Sequence, residues 1–277
     1  MKGFDRQPRH AWAFGCGVTL TWLLLPLLGG CGSDEGAPSI AGDGPSGMFG
    51  DDAGIADVAV EDGRADGSGT MDASPGDCAY AIEQVLKPID AVSAGEVVVL
   101  AESSAARTVY VDASAGGTQA ASTQPRLYLN LETATRVGVT DKTAAFSVDW
   151  DLAIKRPILF TNSGDGGSGR GGAILLDGRD FDAVTSADGA GKTFAKERFF
   201  ESDCTPKLDA TGAVKTSFDG WYDYDEATNV LAPHAGTWLV QGATGKVYKV
   251  QILSYYSVPD GGIGQSGGRY LLQIGAL

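Results

Sequence analysis

The sequence predicts an all-β domain in which antiparallel sheets are joined by glycine-rich loops. From residue 97 onward the apolar runs are short, and several alternate apolar with polar side chains in the period of two that is typical of strands. Turns rich in the chain's 40 glycines separate these runs, and no helical pattern alternates with them. The exception is a short helix predicted over residues 77–86, which ends before Pro88.

The predicted strands follow from the local patterns. Residues 97–100 are an apolar run expected to be buried, and 146–154 is expected to be a half-buried strand because Phe146, Val148 and Trp150 alternate with polar residues. Six glycines between positions 164 and 172 predict a large loop. A glycine-bounded turn between residues 238–240 and 246–252 predicts a hairpin. The other predicted strands are 108–111, 126–131, 158–160, 173–176 and 269–274.

Residues 1–30 read as an export signal rather than as part of the fold. Lys2, Arg6 and Arg9 form a basic start, and an apolar stretch over 18–28 is too short for a stable membrane span. The sequence Leu-Gly-Gly-Cys at 28–31 matches a bacterial lipobox, in which Cys31 is lipidated and becomes the mature N-terminus. The alternative is an ordinary signal peptide that happens to end in cysteine. We therefore expect a domain anchored to a membrane by acyl chains.

Residues 31–77 are expected to form a disordered acidic tether. The segment is rich in Gly, Asp, Ala and Ser, and it carries eleven acidic residues against one base, Arg64. Such a composition buries too little apolar surface to fold. The whole chain has a net charge of −14, of which −6 belongs to the domain predicted over residues 78–277. No basic excess is present to hold nucleic acid.

Two cysteines are left in the domain after export. Cys78 and Cys204 would meet an oxidising compartment, so a single disulfide between them is the natural pairing. It would fasten the start of the domain to its middle.

Catalytic and nucleotide-binding motifs are weak in this sequence. The glycines of 164–169 fit G-x-G-x-x-G, but the predicted element after them is a strand, whereas that motif needs a helix. Gly191-Lys192-Thr193 resembles the end of a phosphate-binding loop, but Ser186 stands where its first glycine belongs. The domain's one histidine, His234, has no marked nucleophile as a partner. We therefore expect no enzyme.

Three motifs follow one another along the domain. The first runs over 148–173, with Val-Asp-Trp-Asp-Leu-Ala-Ile-Lys at its start and Gly-Gly-Ala at its end; the second is Gly-Trp-Tyr-Asp-Tyr at 220–224. The third is Gly-Lys-Val-Tyr-Lys-Val-Gln-Ile-Leu-Ser-Tyr-Tyr at 245–256. Together they resemble the HmuY-like haem-binding lipoproteins, the haemophores of Gram-negative bacteria. The resemblance extends from about residue 95 to the end of the chain and implies an all-β domain shaped like a grasping hand.

The resemblance also implies a site and a cellular role. Members of the family hold haem between loops, with paired axial His or Met side chains. Trp221, Tyr222 and Tyr224 lie in the segment corresponding to the grasping loops, and Glu226 occupies the position of one family histidine. The implied partners are haem or a related tetrapyrrole, a membrane reached through the lipid anchor, and an outer-membrane transporter. The implied location is the outer membrane, on its periplasmic side or at the cell surface, with a role in haem and iron acquisition.

The ligand residues leave a second interpretation open. The domain has no methionine, because Met48 and Met71 lie in the tether, and His234 is its only histidine. His234 could supply one axial bond, or it could be a turn residue between strands. The aromatic residues could equally be core. The alternative is therefore a surface lipoprotein that kept the family scaffold, lost haem ligation, and acts as an interaction module or binds another apolar ligand.

Overall fold

The computed structural model describes residues 78–209 and 212–277. These residues form an all-β fold of twelve strands in three antiparallel sheets, as the sequence predicts. The predicted signal peptide, the tether and Cys31 lie outside the described residues. Within the described ranges, no helix is both long enough and apolar enough to cross a bilayer.

The largest sheet has six strands and carries the C-terminal half of the fold. In spatial order they are β1 (Val97–Glu102), β2 (Arg107–Asp112), β12 (Arg269–Ala276), β11 (Val247–Ser254), β10 (Gly236–Gln241) and β7 (Gly172–Asp177). All neighbours are antiparallel. The hairpin predicted around residues 242–245 is confirmed, because Gln241 pairs with Val247 across it. β7, which follows the glycine loop, is an edge strand of this sheet and pairs with β10.

Two smaller sheets and two short helices complete the described fold. The four-stranded sheet has the order β4 (Thr135–Arg136), β3 (Leu127–Asn130), β5 (Leu152–Lys155) and β6 (Ile158–Thr161). β8 (Tyr222–Asp225) and β9 (Val230–Pro233) form a separate hairpin. The helices are α1 (Ala79–Leu86) and α2 (Asp141–Ala144), and single 3-10 turns lie at Ala121–Thr123, Gly164–Gly166, Phe181–Ala183 and Ser186–Gly189.

Three strands of the four-stranded sheet, β3, β5 and β6, are buried on both faces, whereas the short edge strand β4 is exposed. Alternate residues of its strands, such as Leu129 and Leu152, join a core shared with the large sheet. The intervening residues, such as Tyr128 and Phe160, join a second core that α1 covers. Burial on two faces explains why these strands are almost continuously apolar in sequence. Asp151 links this sheet to the large one, since its carboxylate accepts from the Leu131 N–H and the Ala243 N–H, both at 2.8 Å.

The predicted strand over 146–154 is wrong in its first half. Only Leu152–Lys155 pairs as a strand, and Phe146 is 86% exposed. The backbone before it folds back because Asn162 Nδ2 donates to the carbonyls of Ser147 and Trp150, at 2.8 and 2.9 Å. Trp150 is fully buried, and its indole N–H donates to the Ala144 carbonyl. Of the three apolar residues that alternate here, only Trp150 is buried, whereas Phe146 and Val148 are exposed.

The expectation that residues 97–100 are buried is also wrong. They belong to β1, which is an edge strand with a single partner, β2. Val98 and Val99 are 37% and 40% exposed. A β-bulge lies between Val99 and Ala101. Bulges of this kind interrupt the regular edge of a sheet and disfavour pairing with another chain.

A disulfide joins Cys78 and Cys204, as the sequence predicts. Cys78 precedes α1, and Cys204 lies in the segment that follows Phe199 and Phe200, which are buried in the second core. The bond therefore holds α1 against that core. Cys204 has a positive φ of 63°, which is uncommon outside glycine, and its N–H donates to the Glu201 carbonyl at 3.0 Å.

Removing this disulfide should destabilise the protein by about 2–4 kcal/mol, because the bond closes a loop of 126 residues in the unfolded chain. The measurement is urea unfolding of the double variant Cys78→Ser/Cys204→Ser. Dithiothreitol provides the control, since it should lower the stability of the parent and leave the variant unchanged. Equal unfolding free energies for parent and variant would contradict the prediction.

Candidate functional site

The candidate site is a cleft of about 600 Å³ at one end of the large sheet. We call it the tyrosine cleft. Four side chains give it its chemistry: Tyr255, Tyr256, Arg156 and Arg269. The rim comprises Ser114, residues 116–118, Asn229, Leu231 and the loop residues 265–267. Its volume lies within the range of about 300–1,000 Å³ that is usual for sites of small molecules and cofactors.

Aromatic rings form the wall of the tyrosine cleft. Tyr255 and Tyr256 pack edge to face, with ring centroids 4.9 Å apart. Tyr255 also contacts Trp221 at 5.6 Å and Tyr270 at 5.3 Å, so the wall continues into the core. Burial raises the pKa of Tyr255 to about 12, so its hydroxyl stays protonated at neutral pH. Tyr256 is partly exposed, and its hydroxyl accepts a hydrogen bond from the Leu231 N–H of β9.

Arg156 stands at the floor of the cleft in a conformation that is unusual for its residue type. It precedes Pro157 in the two-residue turn between β5 and β6, with a φ of +53°. The backbone there is held on both sides: the Arg156 N–H donates to the Ala113 carbonyl, and the Tyr270 hydroxyl donates to the Arg156 carbonyl at 2.6 Å. Strain of this kind persists only where the surroundings fix it.

The guanidinium of Arg156 is held by neutral groups. It donates to the Gly267 carbonyl at 3.1 Å and to the Thr118 hydroxyl at 2.9 Å. Among the described residues, no carboxylate lies within ion-pair distance of it, whereas Arg269 has Asp112 at 3.4 Å. The cleft therefore presents a fixed positive charge, and guanidinium groups bind carboxylates and phosphates well. Gly267 is required here, because a Cβ atom would lie 2.5 Å from the Tyr255 ring.

The structure gathers the predicted aromatic residues beside the cleft, in different roles. Trp221 is 3% exposed, and its indole N–H donates to the Pro157 carbonyl at 2.8 Å. Tyr222 packs on the Trp221 ring, and Tyr224 donates its hydroxyl proton to Asn229, a residue of the rim. Glu226 lies exposed in the turn between β8 and β9. Trp221 therefore supports the wall from within the core, while Tyr224 and Glu226 belong to the exposed hairpin.

His234 is not among the residues that line the cleft, and it bridges two elements. Its Nδ1 lies 3.2 Å from Asp223 of β8, and its Nε2 lies 3.0 Å from Asp177 at the end of β7. Hydrogen bonding first to Asp177 and then to Asp223 raises the pKa of His234. Both ring nitrogens are thus engaged, and an iron ion could bind one only after a carboxylate had left it. In the described part of the chain, no cluster of three His, Cys, Asp or Glu side chains is arranged to hold a metal ion.

Sequence reasoning missed the two arginines of the site. Arg156 and Arg269 lie 113 positions apart, and neither belongs to a recognisable ligand motif. A usable signal was the pair Tyr255-Tyr256 followed by the glycines of residues 261–268, since a tyrosine pair next to a flexible loop often marks a binding surface.

The pKa of His234 should lie above 6.5, because two carboxylates stabilise its protonated form. A folded-state pKa above the unfolded value means that this contact stabilises the fold at acid pH. The stabilisation is lost as the pH rises through the folded-state pKa. An NMR titration of the ring protons measures it, and Asp223→Asn should lower the value. A pKa at or below 6.5 would show that the two contacts are not formed in solution.

Comparison with known proteins supplies the wider context. The model of the HmuY protein family matches residues 122–266. Among solved structures, a protein of Bacteroides vulgatus named as HmuY-like and haem-binding is 16% identical, with 65% of this chain and 96% of that chain covered at a TM-score of 0.42. The apo HmuY analogue of Tannerella forsythia is 14% identical, with coverages of 65% and 97% and a TM-score of 0.40.

A protein of Bacteroides fragilis named as a lipoprotein is 18% identical, with coverages of 65% and 92% and a TM-score of 0.37. No curated protein sequence matches the chain significantly. The family match covers the β3–β5–β6 sheet, the glycine loop, the β8–β9 hairpin and most of the tyrosine cleft. Since it extends over more than half of the sequence, this chain belongs to the HmuY family.

Proposed function

We propose that this protein is a membrane-tethered lipoprotein that binds haem or a related tetrapyrrole in the tyrosine cleft. The observation that carries the proposal is the combination of a tyrosine wall with two arginines in one cleft of about 600 Å³. A tetrapyrrole has a flat apolar ring and, in haem, two carboxylate side chains. Such a ligand matches aromatic rings on one side and guanidinium groups on the other.

The described residues do not fit the family's paired axial ligation. His234 has both ring nitrogens on carboxylates, and the domain has no methionine. The proposed binding therefore rests on the ring and the carboxylates of the ligand rather than on its iron. Haem would be the cargo, which the protein would acquire outside the cell and pass to an outer-membrane transporter. The protein's own contribution is a binding surface, with no catalytic step.

Titration of the detergent-solubilised full-length protein with haemin should give saturable binding near one equivalent, followed by the Soret absorption band. Metal-free protoporphyrin should bind with similar affinity, because the cleft offers no paired axial ligands. Tyr256→Leu should weaken both by up to about tenfold, the loss expected for one aromatic contact. Detergent alone provides the background.

Matched variants distinguish this site from others. Tyr80→Leu removes an exposed tyrosine of α1 and should leave the affinity unchanged. His234→Ala should leave the Soret band of the haemin complex unchanged. A shifted band in His234→Ala, or full affinity in Tyr256→Leu, would overturn the proposed site. Non-saturating haemin binding would overturn the proposed tetrapyrrole-binding function and favour the alternative of an interaction module. The hydrogen bonds at both ring nitrogens of His234 also favour that alternative.

The membrane anchor is a separate part of the proposal and rests on the lipobox at residues 28–31. Cys31→Ala should release the protein from the membrane fraction, because the acyl chains would no longer be attached. Fractionation of cells that express either form measures this. Undiminished membrane association of the variant would contradict lipidation at Cys31.

A further inference from the structure

A second cavity, of about 310 Å³, lies on the other side of the Arg156–Pro157 turn from the tyrosine cleft. We call it the lysine groove. Four cationic residues line it: Lys87, Arg126, Lys155 and Arg156. The remaining lining is mostly apolar and comes from Val85, Leu86, Ala121, Pro157, Ile158, Ala213 and Val214, with Ser122 and Gly212. None of these residues carries a carboxylate.

The cations of the lysine groove are only partly neutralised by the protein. Asp141 is the nearest partner, and it pairs with the Arg126 guanidinium at 3.1 Å. The carboxylate of Asp141 is already saturated, because it also accepts from the Ile89 N–H, the Arg126 N–H and the Tyr128 hydroxyl. Arg126 is 7% exposed, yet its Nε has no hydrogen-bond partner among the described residues.

Lys155 is a cation of this groove whose charge has no direct partner among the described residues. It is half-buried on β5, and its ammonium makes no hydrogen bond or ion pair with any described residue. Burial and the neighbouring Arg126 lower the pKa of Lys155. A lysine held among apolar side chains beside the Arg126 guanidinium costs free energy unless an anion shares the site, and Asp141 offsets this cost only in part. The cost points to a missing negative charge.

We propose that the lysine groove binds a small organic carboxylate that carries an apolar chain. The carboxylate would lie between Lys155 and Arg126, and the chain would lie along the α1 side of the groove. This site is distinct from the proposed tetrapyrrole cleft, since the two share only the Arg156–Pro157 turn. A domain with a net charge of −6 repels anions at long range, so the local cluster is a specific exception.

Octanoate is the probe, and isothermal titration calorimetry of the detergent-solubilised full-length protein is the measurement. Octanoate should bind saturably, and 1-octanol, which has the same chain without the charge, should bind at least about tenfold more weakly. Lys155→Met keeps the length of the side chain and removes its charge, so it should weaken octanoate binding by about tenfold or more. Lys155→Arg should retain binding.

The controls separate this proposal from loss of folding and from the tetrapyrrole site. Lys196→Met removes an exposed lysine outside the groove and should bind octanoate as the parent does. Without octanoate, Lys155→Met should have a thermal midpoint equal to or above that of the parent, because it removes a half-buried charge, and it should keep the parent's affinity for haemin, whether that affinity is high or absent. Because Lys155 does not line the tyrosine cleft, either proposal can fail while the other stands.

Three outcomes would overturn the inference. Equal affinity for 1-octanol and octanoate would reduce the groove to an apolar surface. Unchanged octanoate affinity in Lys155→Met would show that the carboxylate of octanoate does not bind at Lys155. Competition of inorganic phosphate with octanoate at equal concentration would indicate a site for free oxyanions, with no role for the apolar lining.

Discussion

The fold depends on a buried carboxylate that joins the end of β6, next to the glycine loop, to the segment that precedes the β8–β9 hairpin. Glu197 is 1% exposed and accepts from the N–H and hydroxyl of Thr161, at 2.7 and 2.9 Å, and from the N–H and hydroxyl of Ser217. Burial raises the pKa of Glu197 more than these hydrogen bonds lower it. An uncompensated charge there would be very costly, so all four donors must be in place. The link fixes Ser217, and through it Phe218 and Trp221, relative to the end of β6.

A few contacts connect the buried Glu197 to the residues that shape both cavities. Trp221 donates to the Pro157 carbonyl, and Tyr270 donates to the carbonyl of Arg156. The Arg156–Pro157 turn is thus clamped by two aromatic residues of the shared core, and the strained φ of Arg156 is maintained by them. The turn forms the wall between the tyrosine cleft and the lysine groove. A change in the buried link at Glu197 would therefore reach both cavities through Trp221.

The sequence predicted most strands but not the surfaces they create. Strands with β-branched residues and a glycine turn, such as β10 and β11, were recovered because local pattern and pairing agree. The strand prediction was wrong over residues 146–151 because the side chain of Asn162, which comes from a later segment, donates hydrogen bonds to two carbonyls there. The tyrosine cleft depends on Arg156 and Arg269 lining the same cavity although they lie far apart in sequence, which no local pattern encodes. Trp221 and Tyr222 were predicted by resemblance, and long-range packing decides that Trp221 supports the wall rather than lines it.

The placement of positive charge bears on how a proposed ligand would be selected. Binding through iron requires a free lone pair, and His234 has committed both nitrogens to Asp177 and Asp223. Binding through ring and carboxylates requires aromatic surface and unpaired guanidinium groups, which Tyr256 and Arg156 provide. A site of the second kind discriminates on the shape and charge of a tetrapyrrole and is indifferent to its metal. If a tetrapyrrole binds as proposed, a site without axial ligands would therefore accept a wider range of ligands, because stacking and ion pairing do not involve the metal.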